Sequence, residues 1–195
     1  MALQAKKRKL YTPAEYLALE EKAEFRSEYV NGEIITMAGG SLDHVQITSN
    51  VSRFTGNKIS AECRSLPTDI KVYVKALNKF YYPDVTVLCG EPKFYQKRND
   101  TIVNPVLIVE VLSGSTEAKD RGEKFFAYQT LESFREYILV SQDKEVVEQF
   151  IKQSDGSWKY LAIIGAKSKV KFESIGIELS LEEIYQRVEF SKENL

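Results

Sequence analysis

Several things are scarce in this sequence, and each scarcity excludes a class of protein. There is one histidine, His44, so a His-rich metal site is impossible and a Ser-His-Asp or Cys-His arrangement has a single candidate base. The two cysteines, Cys63 and Cys89, belong to no CxxC pair and no Cys/His ligand cluster. Both sit in strand-like contexts and read as reduced, structural thiols. No stretch approaches the roughly 18 consecutive apolar residues of a membrane span, and the N-terminus carries charges where a signal peptide has an apolar segment. A cytoplasmic protein is expected. Surplus charge is missing as well: 27 Lys+Arg against 28 Asp+Glu leave no global positive field to advertise a nucleic-acid partner. Any such site must be local. The basic cluster Lys6-Lys7-Arg8-Lys9 reads as a solvated, flexible tail over residues 1–10 rather than a phosphate clamp.

What is present suits an ordinary globular protein. With 195 residues, 43% hydrophobic and 28% charged, the chain can fill one core, and a single domain over 1–195 is expected. Thr12-Pro13-Ala14-Glu15 has capping-box spacing with Pro at the first helical position, which predicts a helix to about Lys22 with Tyr16, Leu17 and Leu19 inward. Asn31-Gly32 between two strand-like arms supplies the positive φ angles of a type I′ turn, hence a hairpin over 25–36. A helix over 42–59 follows, capped by Ser41. Strands are expected at 69–74, 83–88, 105–112, 136–140, 145–152 and 157–164, the last pair meeting at Asp155-Gly156. A helix from Thr116, with Phe125, Tyr128 and Leu131 inward, makes 105–140 a β-α-β crossover, and a short helix spans 181–188. The fold class is α/β or α+β: a mixed sheet flanked by helices.

Glu110 is the most informative residue. Apolar residues occupy both alternating faces of Pro105-Val106-Leu107-Ile108-Val109-Glu110-Val111-Leu112, so this strand is covered on both sides and Glu110 is expected to be buried. A buried carboxylate is costly unless paired, protonated or metal-bound. The alternative readings are a strand-end residue that snorkels out and a structural ion pair. Asp84 follows Pro83 at the start of a strand expected to neighbour this one. Paired strands lie about 4.8 Å apart, so the two carboxylates can converge on one divalent ion, Mg²⁺ or Mn²⁺. Such an ion, with water and phosphate oxygens, points to phosphodiester hydrolysis, which a nearby lysine would assist.

Pro83-Asp84 followed by Glu110-Val111-Leu112 resembles the PD-(D/E)xK nuclease signature, with Leu112 at the usual lysine position. The longer stretch from Asn104 to Phe150, read with Glu28-Tyr29-Val30-Asn31-Gly32-Glu33 and Leu42-Asp43-His44, is similar to the Uma-type restriction-endonuclease family, once catalogued as a domain of unknown function. The resemblance covers nearly the whole chain. It implies a restriction-endonuclease-like core with added N- and C-terminal hairpins, a Mg²⁺-dependent endonuclease acting on DNA, and a lysine that has migrated to the following helix. Lys124 matches that role. Its other reading is a solvated helix lysine or a salt bridge to Asp120, four residues earlier. Lys119 reads as a first-turn surface residue.

Other polar residues are weaker candidates. Asp69-Ile70-Lys71 has D-x-K spacing, but alternating strands place charges outward, so surface positions are favoured. His44 could bind phosphate or act as a base; a partly buried cap or core residue is the favoured reading. Glu33 could approach the carboxylates from the hairpin. Tyr81-Tyr82, Phe94-Tyr95 and Phe125-Phe126 read mostly as core, with 91–99 an exposed loop whose Lys93, Lys97 and Arg98 could contact a nucleic-acid strand. A homodimer joining two local basic edges is expected. The rival to an active enzyme is a catalytically inactive nucleic-acid-binding or protein-interaction module on the same fold.

Overall fold

The computed structural model describes residues 9–190. Lys6, Lys7 and Arg8 of the basic cluster fall outside them, while the Lys9 ammonium lies 4.6 Å from the Tyr11 ring centroid. Thr12 caps α1 (Pro13–Glu20) in the box its spacing spells: the Thr12 hydroxyl accepts the Glu15 N–H, and the Glu15 carboxylate accepts the Thr12 N–H. Tyr16, Leu17 and Glu20 define the inner face. Leu19, expected inside, is 50% exposed because it lies off that stripe.

The hairpin forms as expected from β1 (Ser27–Val30) and β2 (Glu33–Thr36), turning through Asn31 at φ 50° and Gly32 at φ 96°. Then come α2 (Leu42–Lys58), capped by Ser41, and β3 (Cys63–Pro67), β4 (Lys71–Val74), β5 (Lys79–Tyr81), β6 (Val85–Cys89), β7 (Thr101–Ile102) and β8 (Leu107–Leu112). The helix expected from Thr116 is interrupted. Glu117–Lys119 forms α3, Asp120–Lys124 a π-helical turn and Phe125–Gln129 α4. After β9 (Glu136–Ser141), β10 (Val146–Lys152) and β11 (Trp158–Ile164), a hairpin of β12 (Lys169–Phe172) and β13 (Ile177–Ser180) precedes α5 (Leu181–Ile184).

Two larger sheets result, in the orders β2-β1-β5-β4-β7 and β11-β10-β9-β8-β6-β3. In the second, β8 pairs antiparallel with β6 and parallel with β9, so the mixed sheet and the crossover are as expected. The β10–β11 hairpin is not an appendage: it extends this sheet, and β12–β13 stands apart as a two-stranded unit. All six residues of β8 are buried. Val109 and Val111 pack with Ile47 and Val51 of α2 and with Leu181 and Ile184 of α5. Ile108 and Leu112 pack with Tyr128, Phe134 and Tyr137 on the opposite face. That is the covered strand its two-sided apolar pattern requires.

Cys63 and Cys89 face each other across the β3–β6 pair and are joined in a disulfide, which corrects the reading of both as reduced thiols. The reason is register: their strands place two distant cysteines directly opposite. A disulfide is uncommon in reducing compartments, so it does not favour the cytoplasmic expectation. Among the described residues, no helix is long and apolar enough to cross a membrane.

Candidate active site

The site forms where β8 ends and β6 begins. Val85 pairs with Val109, and continuing that register by one residue sets Asp84 opposite Glu110 on the same sheet face. Asp84 is held at both oxygens. Its Oδ2 accepts the Val111 N–H at 2.7 Å, and its Oδ1 lies 3.0 Å from His44 Nε2. His44 is placed by the first turn of α2, where the Ser41 hydroxyl accepts its backbone N–H. The Asp84 contact raises the imidazole pKa above its ordinary value, against the lowering effect of burial.

Glu110 is 2% exposed. Its Oε1 accepts from Lys124 Nζ and from the Tyr128 hydroxyl, each at 3.1 Å. Burial pushes its carboxyl well above the ordinary range; Lys124 pulls it back, and the charges of Asp120, Asp84 and Glu28 push it further up. Lys124 sits among three acids, with Nζ 2.9 Å from Asp120, 3.1 Å from Glu110 and 3.3 Å from Glu28. Burial alone would lower the ammonium pKa, but Glu110, Glu28 and Asp120 together outweigh it and hold it well above the ordinary value. Asp120 and Lys124 lie in the π-helical turn and are 2% and 6% exposed; their four-residue spacing puts them on one side of the helix.

A cleft of about 400 Å³ opens over these groups, lined by Glu28, Asp84, Glu110, Asp120 and Lys124, with His44, Lys119 and the 36–41 loop at its edges. The three residues singled out from sequence, Asp84, Glu110 and Lys124, therefore meet in one place. Lys124 is not a solvated helix lysine: it is buried, forms the expected bridge to Asp120 and also contacts Glu110. Lys119, read as a surface residue, instead bonds Glu28 and lines the cleft. His44, read first as a cap or core residue, touches Asp84.

Other candidates lie elsewhere. Asp69 is exposed and pairs with Arg26 at 3.1 Å. Lys71, favoured as a surface lysine, is buried and bonds Asp100 at 2.7 Å and the Tyr82 hydroxyl at 3.2 Å. Thr68 and Asp69 adopt positive φ, at 24° and 62°, so the strand starts later than its alternation suggested and Lys71 turns inward. Glu33 pairs with Val30 in the hairpin and is not among the residues lining the cleft. The 91–99 loop is no free arm: Tyr95 packs 4.3 Å from the Tyr73 ring, and Arg98 is tied to Asp100 and Glu21.

The family model described as "Uma2: Putative restriction endonuclease" matches residues 13–182. The chain belongs to the Uma2 family. Two uncharacterized proteins of Synechocystis sp. are similar to it. One, sll1609, is 36% identical over 165 residues, covering 84% of this chain and 93% of its own; the other, slr1290, is 34% identical over 180 residues, covering 92% and 93%. A crystal structure described as "a putative nuclease belonging to DUF820" from Anabaena variabilis aligns with a TM-score of 0.72, covering 90% of this chain and 97% of that one. At 18% identity, this likeness carries the fold, and it agrees with the restriction-endonuclease-like core.

In this Uma2 chain, sequence reasoning missed three residues that contact Lys124 or Glu110. Glu28 is buried in β1 and shared between Lys119 and Lys124. Its signal was a charged residue in a strand that proves to be sandwiched, which required knowing that β1 pairs with β5. Asp120 appeared only as a salt-bridge partner. Tyr128 was assigned inward, but its hydroxyl bond to Glu110 was not foreseen.

Proposed function

We propose that this single-domain chain is a metal-dependent endonuclease that hydrolyses DNA phosphodiester bonds. The observation that carries the reading is the convergence of Asp84, Glu110 and Lys124, drawn from three separate elements, in one cleft.

The donor set fits a divalent cation. Four carboxylates, Glu28, Asp84, Glu110 and Asp120, face the two lysines Lys119 and Lys124 there, an excess of acid that a dication would offset. Glu28 Oε1 and Asp120 Oδ1 are buried and receive no hydrogen bond; both oxygens face the Lys124 ammonium, and Lys119 pairs with the other oxygen of Glu28. Among the described residues no three His, Cys, Asp or Glu side chains form a ready-made cage, but Mg²⁺ needs only one or two carboxylates beside water and phosphate oxygens. Asp84 and Glu110 would hold Mg²⁺ or Mn²⁺. When bound, such an ion supplies Lewis acidity toward a phosphoryl oxygen and a more acidic water.

The remaining roles follow from this chain's own groups. The Val111 N–H and His44 Nε2 fix the Asp84 carboxylate. Lys124, kept as an ammonium by its three acids, offsets charge as the phosphorus gains an oxygen and the leaving oxygen departs. Tyr128 holds Glu110 in place. Purified protein with Mg²⁺ or Mn²⁺ should nick supercoiled DNA, and Glu110→Gln should abolish nicking. Equal cleavage by both proteins would sink the assignment.

A second reading rests on two features: Leu112 stands where the strand lysine usually lies, and Lys124 is already engaged by three acids. A non-catalytic nucleic-acid-binding module on this fold predicts salt-sensitive DNA binding without turnover in any metal. We also propose a homodimer, because a near-neutral monomer has little charge with which to grip a duplex. A monomeric mass in light scattering would count against it.

A further inference from the structure

A second cleft, of about 390 Å³, runs along α2 and adjoins the first, sharing His44 with it. We propose that this groove carries the DNA strand flanking the phosphodiester to be cut, bound through its phosphates. The inference rests on the nuclease reading for its substrate class and adds the path that the substrate takes.

Charge separates the two clefts. No acid lines the second, whereas Glu28, Asp84, Glu110 and Asp120 line the first. The lining instead presents Thr48, Ser49, Ser52 and Arg53 from α2, closed on one side by Pro67 and Thr68. Hydroxyls and a guanidinium are the donors that contact phosphate oxygens without reading bases.

Two observations go beyond composition. Thr48 is 5% exposed, and its Oγ1 is buried without a hydrogen-bond partner, a donor left unsatisfied in the wall of the groove. Arg53 forms no ion pair with any described residue. Its guanidinium meets only neutral acceptors, Gln186 Oε1 at 2.7 Å and Asn50 Oδ1 at 3.4 Å, and lies 4.2 Å from the Phe54 ring centroid. Unlike Arg26, Arg98 and Arg121, which are paired with carboxylates, Arg53 is pre-positioned by neutral contacts and keeps a charge that no described carboxylate compensates. From His44 to Arg53 the helix rises about 14 Å, room for roughly four nucleotides at 3.4 Å each along one strand.

The test is anisotropy of a fluorescein-labelled DNA duplex titrated with the full chain in EDTA over a series of salt concentrations. Arg53→Ala should weaken binding about fivefold to tenfold and reduce the slope of log affinity against log salt by about one. Thr48→Val should weaken it about twofold to fivefold. Ser49→Arg, at an exposed position, should tighten binding and steepen the slope by about one, and it keeps the test decisive if Arg53→Ala melts early. Lys159→Ala, on the sheet edge opposite β3, should bind like wild type. The groove is overturned if wild type binds no DNA, if Ser49→Arg matches wild type, or if Lys159→Ala weakens binding as much as Arg53→Ala. A parallel nicking assay in Mg²⁺ separates the two proposals. Nicking with unaltered binding by the groove variants overturns the groove alone; Arg53-dependent binding without nicking upholds the groove and overturns the nuclease reading.

Discussion

Replacing Lys124 by methionine would remove the one charge common to Glu28, Glu110 and Asp120 while nearly preserving volume. Breaking a buried ion pair by removing one partner costs about 3–5 kcal/mol, because the surviving charge stays out of water. For a domain of this size each kcal/mol moves the melting temperature by about 2–4 °C, so a mid-range loss of about 4 kcal/mol lowers it by about 8–16 °C at pH 8. The deficit should shrink on acidification. A carboxyl whose folded pKa is raised, as at Glu110, binds protons more readily in the folded state, so stability rises as pH falls from the folded value toward the unfolded value near 4.5. Lys124→Met should therefore melt closer to wild type at pH 5 than at pH 8. Glu110→Gln gives the opposite signature: it removes one acid from an acid-rich site and should leave stability within about 1 kcal/mol of wild type, or raise it. Circular-dichroism melts of the three proteins at both pH values decide the matter. A Lys124→Met protein melting within 2 °C of wild type at pH 8, or a Glu110→Gln protein that falls as far as Lys124→Met, would refute the charge balance derived from these contacts.

Three further outcomes follow. Tyr128→Phe deletes a donor to a buried carboxylate and should cost about 1.5–3 kcal/mol in chemical denaturation, with a rise in Glu110 pKa by NMR titration; an unchanged midpoint would contradict it. Asp100, 34% exposed, is held below the ordinary carboxylate range chiefly by Arg98, with Lys71 also bonding it. Its contribution is present above the unfolded value near 3.8 and lost as pH falls through the lower folded value. Discounted for solvent screening, Asp100→Asn should cost about 1 kcal/mol at pH 7 and nothing once both forms are protonated. Reducing Cys63–Cys89, which closes a loop of 26 residues, should cost about 3 kcal/mol, and without reductant neither thiol should react with iodoacetamide.

The covered nature of β8, and with it the burial of Glu110, could be read directly from a run apolar on both faces. Asp84 could be placed beside it because Pro83 marks where its strand begins. The hairpin and its turn were equally plain, since Asn31-Gly32 admits few alternatives. Lys124 could not be settled from spacing, because its direction toward the carboxylates depends on how its helix docks against the sheet. Glu28 depended on the docking of β1 against β5, and His44 on the angle at which α2 meets the sheet; both are tertiary facts. The Cys63–Cys89 bond required the β3–β6 register. By contrast, β12 and β13 alternate plainly in Lys169-Val170-Lys171-Phe172 and Ile177-Glu178-Leu179-Ser180. That signal was present and unused.

The claim beneath the whole account is that Asp84 and Glu110 share a divalent cation. A crystal soaked in Mn²⁺ and measured at a wavelength that reveals manganese tests it most directly. An anomalous peak is expected between the two carboxylates, with an oxygen of each about 2.0–2.3 Å away. An empty cleft at saturating Mn²⁺, with Asp84 still bound to His44 and Glu110 to Lys124, would contradict it.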